Sequence, residues 1–195
     1  MRSWIKAGVA TLALGLLVGC AGTKFVRPTE AELVLGKTTA AEVRAKLGKP
    51  FQEATGMTNG VSIRKIGYAY ASMGLKPKSP GVTAVSALEL AFHDGKLVSH
   101  SYMSNLAEDA TDFDEKKVPA IQAGKTTRAQ VVQALGAAPG EAIFPAIKQA
   151  GSRAMVYDYQ EMRGFTPSSK KLVIVIDPQG VVSDVDYQNT GKWGK

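Results

Sequence analysis

The chain has 195 residues, 45% hydrophobic and 21% charged, a balance that supplies ordinary cores for one compact unit or two small domains. Its formal charge is +7, but the basic residues are dispersed with no polybasic run, which argues against a nucleic-acid partner. One cysteine, Cys20, excludes a disulfide within the chain.

Residues 1–19 read as an export signal. Arg2 and Lys6 form a basic n-region, the apolar run over 7–18 is too short to span a bilayer with ease, and the stretch ends in small residues. Its removal takes away Arg2 and Lys6 and lowers the formal charge from +7 to +5. The junction Leu17-Val18-Gly19-Cys20 resembles a bacterial lipobox, which implies that the Cys20 thiol is diacylated and becomes the new N-terminus. In the sorting pattern of Gram-negative lipoproteins an Asp after that cysteine retains the protein in the inner membrane; Ala21 stands here, which points to the outer membrane, facing the periplasm. Residues 20–24 form a tether of about five residues, reaching roughly 17 Å at most, so the folded part sits close to its membrane.

Residues 25–103 and 113–195 read as two copies of one module. The stretches 36–48 (GKTTAAEVRAKLG) and 124–136 (GKTTRAQVVQALG) lie 88 positions apart and match at eight of thirteen positions. The same offset carries Phe25 onto Phe113 and Leu33 onto Ile121, giving each copy an apolar lead-in that forms a first short helix or turn. In the second helix, Thr39 with Glu42, and Thr127 with Gln130, have the spacing of a capping box. Val43 and Leu47, like Val131 and Leu135, share a face, and Gly48 and Gly136 end each helix ahead of Pro50 and Pro139.

Strands are expected over 62–71, 84–93 and 96–103, with Asp94-Gly95 as a hairpin turn, and over 153–160, 171–177 and 181–187, with residues 177–180 as a turn. Tyr68 and Tyr70 alternate onto one face with Ile66, as Tyr157 and Tyr159 do with Met155, while Asp158 and Gln160 point the other way; this favours tyrosines facing the helices. Residues 104–112 form a linker in an acidic stretch that includes Glu108, Asp109, Asp112, Asp114 and Glu115. The expected fold is therefore α+β: two tandem repeats, each two short helices followed by a three-stranded antiparallel meander, with the helices packed on one sheet face.

The run Gly-Lys-Thr-Thr-x-x-[Glu/Gln]-Val-x-x-x-Leu-Gly-x-x-Pro resembles the SmpA/OmlA domain of BamE-like outer-membrane lipoproteins. It has one residue more before Val43 and Val131 than the shorter family form. Tandem copies also look similar to the β-lactamase-inhibitor-protein architecture, in which helices back a continuous antiparallel sheet. The Gly-Lys-Thr triplets do not complete a Walker A loop, because Ala31 and Pro119 stand where its first glycine belongs.

Catalytic constellations are lacking in the sequence. His93 and His100 have no metal-ligand spacing, no GxSxG elbow occurs, and paired carboxylates are confined to the linker or strand edges such as Asp184 and Asp186, so neither enzymatic activity, metal nor cofactor is expected. Recognition is assigned to the loops between first and second strands, residues 73–77 and 162–167. Each has a Met, a Gly, a large apolar residue and a Pro, with Leu75, Lys76, Arg163 and Phe165 as candidate partner contacts. The leading expectation is a non-enzymatic outer-membrane lipoprotein, held to the membrane by its N-terminal lipid, that binds envelope or outer-membrane proteins in outer-membrane protein assembly or envelope integrity. The alternative is an inhibitor-like module that captures an enzyme or envelope component on its sheet; a third reading is carriage of a small apolar ligand between helices and sheet.

Overall fold

The computed structural model describes residues 22, 24–72, 74–191 and 193. Cys20, the 1–19 signal and Met73 lie outside the described residues. The first repeat runs through a 3₁₀ turn (Glu30–Glu32), helix α1 (Ala40–Leu47) and strands β1 (Gln52–Thr58), β2 (Val61–Ala71), β3 (Val85–His93) and β4 (Lys96–Ser104). The second runs through a 3₁₀ turn (Glu115–Ala120), α2 (Arg128–Leu135), β5 (Gly140–Ile143), β6 (Arg153–Arg163), β7 (Thr166–Ile176) and β8 (Val182–Thr190). All eight strands form one antiparallel sheet in the order β1 to β8, each paired with its neighbour in sequence.

This corrects the expected architecture of two helices and a three-stranded meander per repeat. The first helix of each copy is only a 3₁₀ turn, and each copy contributes four strands to one sheet. The two strands not anticipated are the ones with the weakest pattern. β1 reads Gln-Glu-Ala-Thr-Gly-Met-Thr at the sheet edge with no buried residue, and β5 is four residues long, too short to display a period. A local signal for β1 does exist in Asn59-Gly60, both left-handed (φ 50° and 83°), the pair that a two-residue hairpin favours.

The repeated Gly-Lys-Thr-Thr stretch is a splice between turn, helix and sheet. Gly36 (φ 76°) donates its N–H to the Leu97 carbonyl at 2.7 Å, and the Leu97 N–H returns to the Thr38 carbonyl at 2.8 Å. Gly124 and Val182 do the same at 2.7 Å, with the Val182 N–H on the Thr126 carbonyl at 2.8 Å. The first threonine holds the preceding turn: the Val34 N–H donates to the Thr38 hydroxyl and the Gln122 N–H to the Thr126 hydroxyl. The second caps the helix. Thr39 accepts from the Glu42 N–H at 3.3 Å while the Glu42 carboxylate accepts the Thr39 N–H at 2.7 Å, and Thr127 with Gln130 repeats the pattern at 3.3 and 2.8 Å. Those hydrogen bonds from Thr39 hold the Glu42 carboxyl below its ordinary pKa.

Short helices need a surface, and register supplies it. Tyr68, Leu88 and Tyr102 stand opposite one another on β2, β3 and β4, as Tyr157, Leu172 and Tyr187 do on β6, β7 and β8. Phe25 packs its ring 6.1 Å from Tyr68 and 6.4 Å from Tyr102; Phe113 packs 5.8 Å from Tyr157 and 6.2 Å from Tyr187. The Tyr68 hydroxyl then donates to the carbonyl of Gly48 at 3.0 Å, and that of Tyr157 to Gly136 at 2.8 Å, so each tyrosine ties the sheet to the end of its helix. Val43 and Val131 are buried in the two clusters so formed, both on the same side of the sheet. β-bulges opposite Ala91/Phe92 and Val175/Ile176, with Val98 and Ser183 as the extra residues, turn Leu97 and Val182 into those clusters.

The halves join along three residue pairs, Ser99 with Ala142, His100 with Glu141 and Ser101 with Gly140. Gly140 permits that approach, since a Cβ there would lie 2.5 Å from the His100 carbonyl oxygen. Beyond β5, Asn105 fills the wedge between β4 and β6. Its side-chain oxygen accepts the Val85 N–H at 2.8 Å, and its amide donates to the carbonyls of Thr83 at 2.9 Å and Gln160 at 3.3 Å. The Thr111 hydroxyl adds a bond to the Asp158 carbonyl at 2.6 Å. The 104–112 segment, read as a linker, thus holds the buried Ser104, Asn105, Leu106 and Thr111.

Two predictions follow from this packing. Tyr68→Phe and Tyr157→Phe each remove a hydroxyl from a helix-end carbonyl and are expected to cost about 1 kcal/mol by urea denaturation; an unchanged midpoint in both would mean that these bonds contribute nothing. His100 is buried on the helix-side face, and burial lowers its pKa below 6.5 although Glu141 and Glu30 pull it upward. The unfolded chain therefore takes up a proton that the folded chain refuses, and stability is lost as pH falls through 6.5 toward the folded value. Between about pH 7.5 and about pH 5.5 the urea midpoint should fall further for the parent than for His100→Gln.

Candidate functional site

Two surfaces are candidates: the end of the sheet carrying the loop residues singled out above, and the face of the sheet away from the helices. β2 and β6 run in the same direction, so the connection 72–84 and the two-residue turn Gly164-Phe165 emerge at one end. They also touch. The Thr83 N–H donates to the Met162 carbonyl at 2.9 Å, and Arg163 Nη1 donates to the Pro80 carbonyl at 2.7 Å.

The four loop residues come to this end in different states. Arg163 is committed to the protein itself, through Pro80 and through Glu161 at 3.2 Å. Leu75 is half-buried and Lys76 is exposed, with the backbone around Lys76 pinned by the Ala107 N–H on its carbonyl at 2.9 Å. Phe165 alone stands clear, 94% exposed at the hairpin tip. No common anchor patch results: Leu75 and Arg163 serve the fold, while Lys76 and Phe165 face solvent.

Behind the tip lies a buried charged network. Glu161, 6% exposed, accepts from Ser79 at 2.6 Å and from the Tyr159 hydroxyl at 2.9 Å. Burial and then Glu161 push the Tyr159 hydroxyl pKa far up. Lys170 is buried against Asp112 at 2.5 Å and the Phe113 carbonyl at 2.7 Å, with the Phe113, Trp193 and Tyr159 rings at 4.9, 5.3 and 5.7 Å. Asp112 also pairs with Lys78 at 2.6 Å. Burial pushes the Asp112 carboxyl upward, but Lys170 and Lys78 together outweigh it and leave the pKa lowered. Asp109 accepts from the Tyr102 hydroxyl at 2.6 Å, and burial with this contact pushes the tyrosine up to about 12. Glu115 accepts from Tyr187, whose burial and this contact likewise bring it to about 12. The acidic stretch is thus largely internal wiring: its polar groups are satisfied by the fold and are not arranged around a reacting atom.

The helix-free face is built differently. Register places Gly67, Glu89, Ser101, Gly140, Val156, Val173 and Asp186 in one row, flanked by Lys65, Ala91, Ser99, Ala142 and Ala154 on one side and Ala69, Ala87 and Met103 on the other. Glycine, alanine and serine predominate over β2 to β5, while Lys65, Glu89, Gln160, Lys171 and Gln188 rise around them. The connection 144–152 covers one part, packing Ala146 and Ile147 on Ala142, Ala154, Val156 and Val175. Asn59 at the β1–β2 turn donates to the Pro145 carbonyl at 2.9 Å, closing that side. The remainder carries no helix. Its polar groups include Glu89, which is exposed, Ser101, whose buried hydroxyl has no hydrogen-bond partner among the described residues, and Asp158. Asp158 is 8% exposed and 4.0 Å from Lys171, and its pKa is raised because burial outweighs the Lys171 charge.

Sequence reasoning missed Ser101 and Asp158 because alternation marks them only as the solvent side of a strand, and it says nothing of their depth. Among the described residues no group of three His, Cys, Asp or Glu side chains could hold a metal ion.

No protein-family model matches the chain, and no curated protein matches it. Among solved structures it is similar to the crystal structure of a Streptococcus mutans protein provisionally assigned as a β-lactamase inhibitor protein. The two are 9% identical, the match covers 78% of this chain and 83% of that one, and the TM-score is 0.41.

Proposed function

We propose that this protein is a non-enzymatic, lipid-anchored module of the outer membrane that binds another protein on the helix-free face of its sheet, in outer-membrane protein assembly or envelope integrity. The observation that carries the reading is the uncovered part of that face. Small side chains let a partner approach the backbone closely, and the exposed Glu89 and half-buried Lys171 offer polar contacts beside them. Placement at the membrane rests on the Cys20 junction and on Ala21, and the link to envelope assembly rests on the SmpA/OmlA-like repeat. The second reading, capture of an enzyme on the same face, is favoured by the same small-residue floor and differs in the identity of what is bound.

Photo-crosslinking in intact cells from position 101 should yield a protein adduct, and Ala87→Arg should abolish it while leaving the circular dichroism spectrum unchanged. Adducts to outer-membrane assembly proteins support the first reading and an adduct to one periplasmic enzyme the second; adduct formation undiminished by Ala87→Arg would move the site off this face. Cys20→Ser should abolish palmitate incorporation and release the protein from outer-membrane fractions. Undiminished incorporation would refute the anchor.

A further inference from the structure

We propose that the Gly164-Phe165 hairpin tip is a second membrane contact, inserting Phe165 into the same phospholipid surface that holds the N-terminal lipid. The inference rests on the Cys20 anchor and concerns which part of the fold that anchor turns toward the bilayer. The first residues of the folded part lie at a definite end of the sheet. Gly22 rests so close to β2 that a Cβ on it would lie 1.7 Å from the Ala69 carbonyl oxygen, two residues from the end of the strand. From Phe25, packed on Tyr68 and Tyr102, the chain climbs to Gly36, which is bonded to Leu97 near the opposite end. The tether therefore enters at the Ala71 end of β2.

That is also the end from which the hairpin projects. β2 and β6 are parallel in direction, and the 72–84 connection bridges them through Pro80 to Arg163 and Thr83 to Met162. β8 stops opposite Ser169, whereas β6 and β7 stay paired out to Arg163 and Thr166. The tip thus overhangs β8 by about three residues, roughly 10 Å. A single residue, Ala21, separates Cys20 from Gly22, so an acylated Cys20 keeps this end within a few residues' length of the headgroups.

The chemistry of the tip favours lipid over a protein pocket. Phe165 is 94% exposed, and its neighbours Gly164, Thr166 and Pro167 form no apolar patch around it. A stable protein interface needs about 800 Å² on each partner with a dry centre. A bilayer interface takes a single aromatic without matching its shape, and Lys76 and Lys24, both exposed, suit anionic headgroups. Val26, 77% exposed beside the tether, is a second apolar point on the module's entering segment.

The test uses the mature protein purified from membranes and returned to vesicles of phosphatidylethanolamine and phosphatidylglycerol. Phe165→Cys and, as a reference at the far end of the sheet, Asp94→Cys are each labelled with a nitroxide; Cys20 does not react when its thiol is acylated. The label at 165 should show oxygen collision rates several-fold above those of the reference and exclusion of a water-soluble nickel reagent, and mass spectrometry should show the acylated N-terminus. If acylation is present and both labels are equally open to the nickel reagent, the hairpin contact is overturned while the anchor stands. If Cys20 proves unmodified, its competing thiol is removed by Cys20→Ala in both variants and the vesicles are added to the protein; the hairpin proposal then survives only if the 165 label still becomes shielded. Phosphatidylcholine vesicles, lacking net charge, should give weaker shielding through loss of the lysine contribution.

Discussion

Every other feature of this fold leans on a three-ring contact that occurs twice. A phenylalanine at the entrance of each repeat packs between two tyrosines with one strand between them, and one of those tyrosines reaches the carbonyl of the glycine that closes the helix. Helices of eight residues have little stability of their own, so their position depends on what they are bonded to. Here the capping box secures one end and a tyrosine hydroxyl the other. Burial of the phenol rings costs nothing in unpaired polar groups because the hydroxyls are used, and it pushes Tyr157 up to about 12, leaving it neutral at physiological pH.

The same contact explains how two copies become one sheet. Once each helix is fixed on its own strands, both occupy the same side, and the 144–152 connection folds over part of the other. The seam is narrow, three residue pairs between β4 and a four-residue β5, and its weakness is offset by side chains from outside the strands. Asn105 is fully buried and spends its side-chain oxygen and amide on three backbone groups from three segments. A buried amide that is completely satisfied specifies geometry as much as it stabilises, since any slip of β4 against β6 would leave it unpaired.

The division of labour between the two faces and the two ends follows from these constraints. The helix side is spent on cores, and the end nearest the tether is spent partly on the buried pairs of Asp112 with Lys170 and Lys78 and of Glu161 with Arg163. Small residues on the helix-free face and the Phe165 side chain at its hairpin tip are not spent in this way.

The sequence by itself determined whatever is written in short-range pattern. The duplication shows as a direct match between two stretches, while the two capping boxes, six strands and the Asp94-Gly95 turn rest on spacings of two to four residues, and a helix cap or a period-two strand needs no knowledge of distant chain. Tertiary structure alone decided the remainder. β1 and β5 exist because β2 and β4 offer them an edge; nothing in Gln-Glu-Ala-Thr-Gly-Met-Thr or Gly-Glu-Ala-Ile demands a strand. The acidic stretch before the second repeat looks solvated in isolation, yet Asp112 meets Lys78 and Lys170, 34 and 58 positions away, and its burial is set by that meeting. Arg163 and Phe165 stand two positions apart in one candidate recognition loop. Only packing against Pro80 and Glu161 absorbs the arginine into the fold and leaves the phenylalanine free.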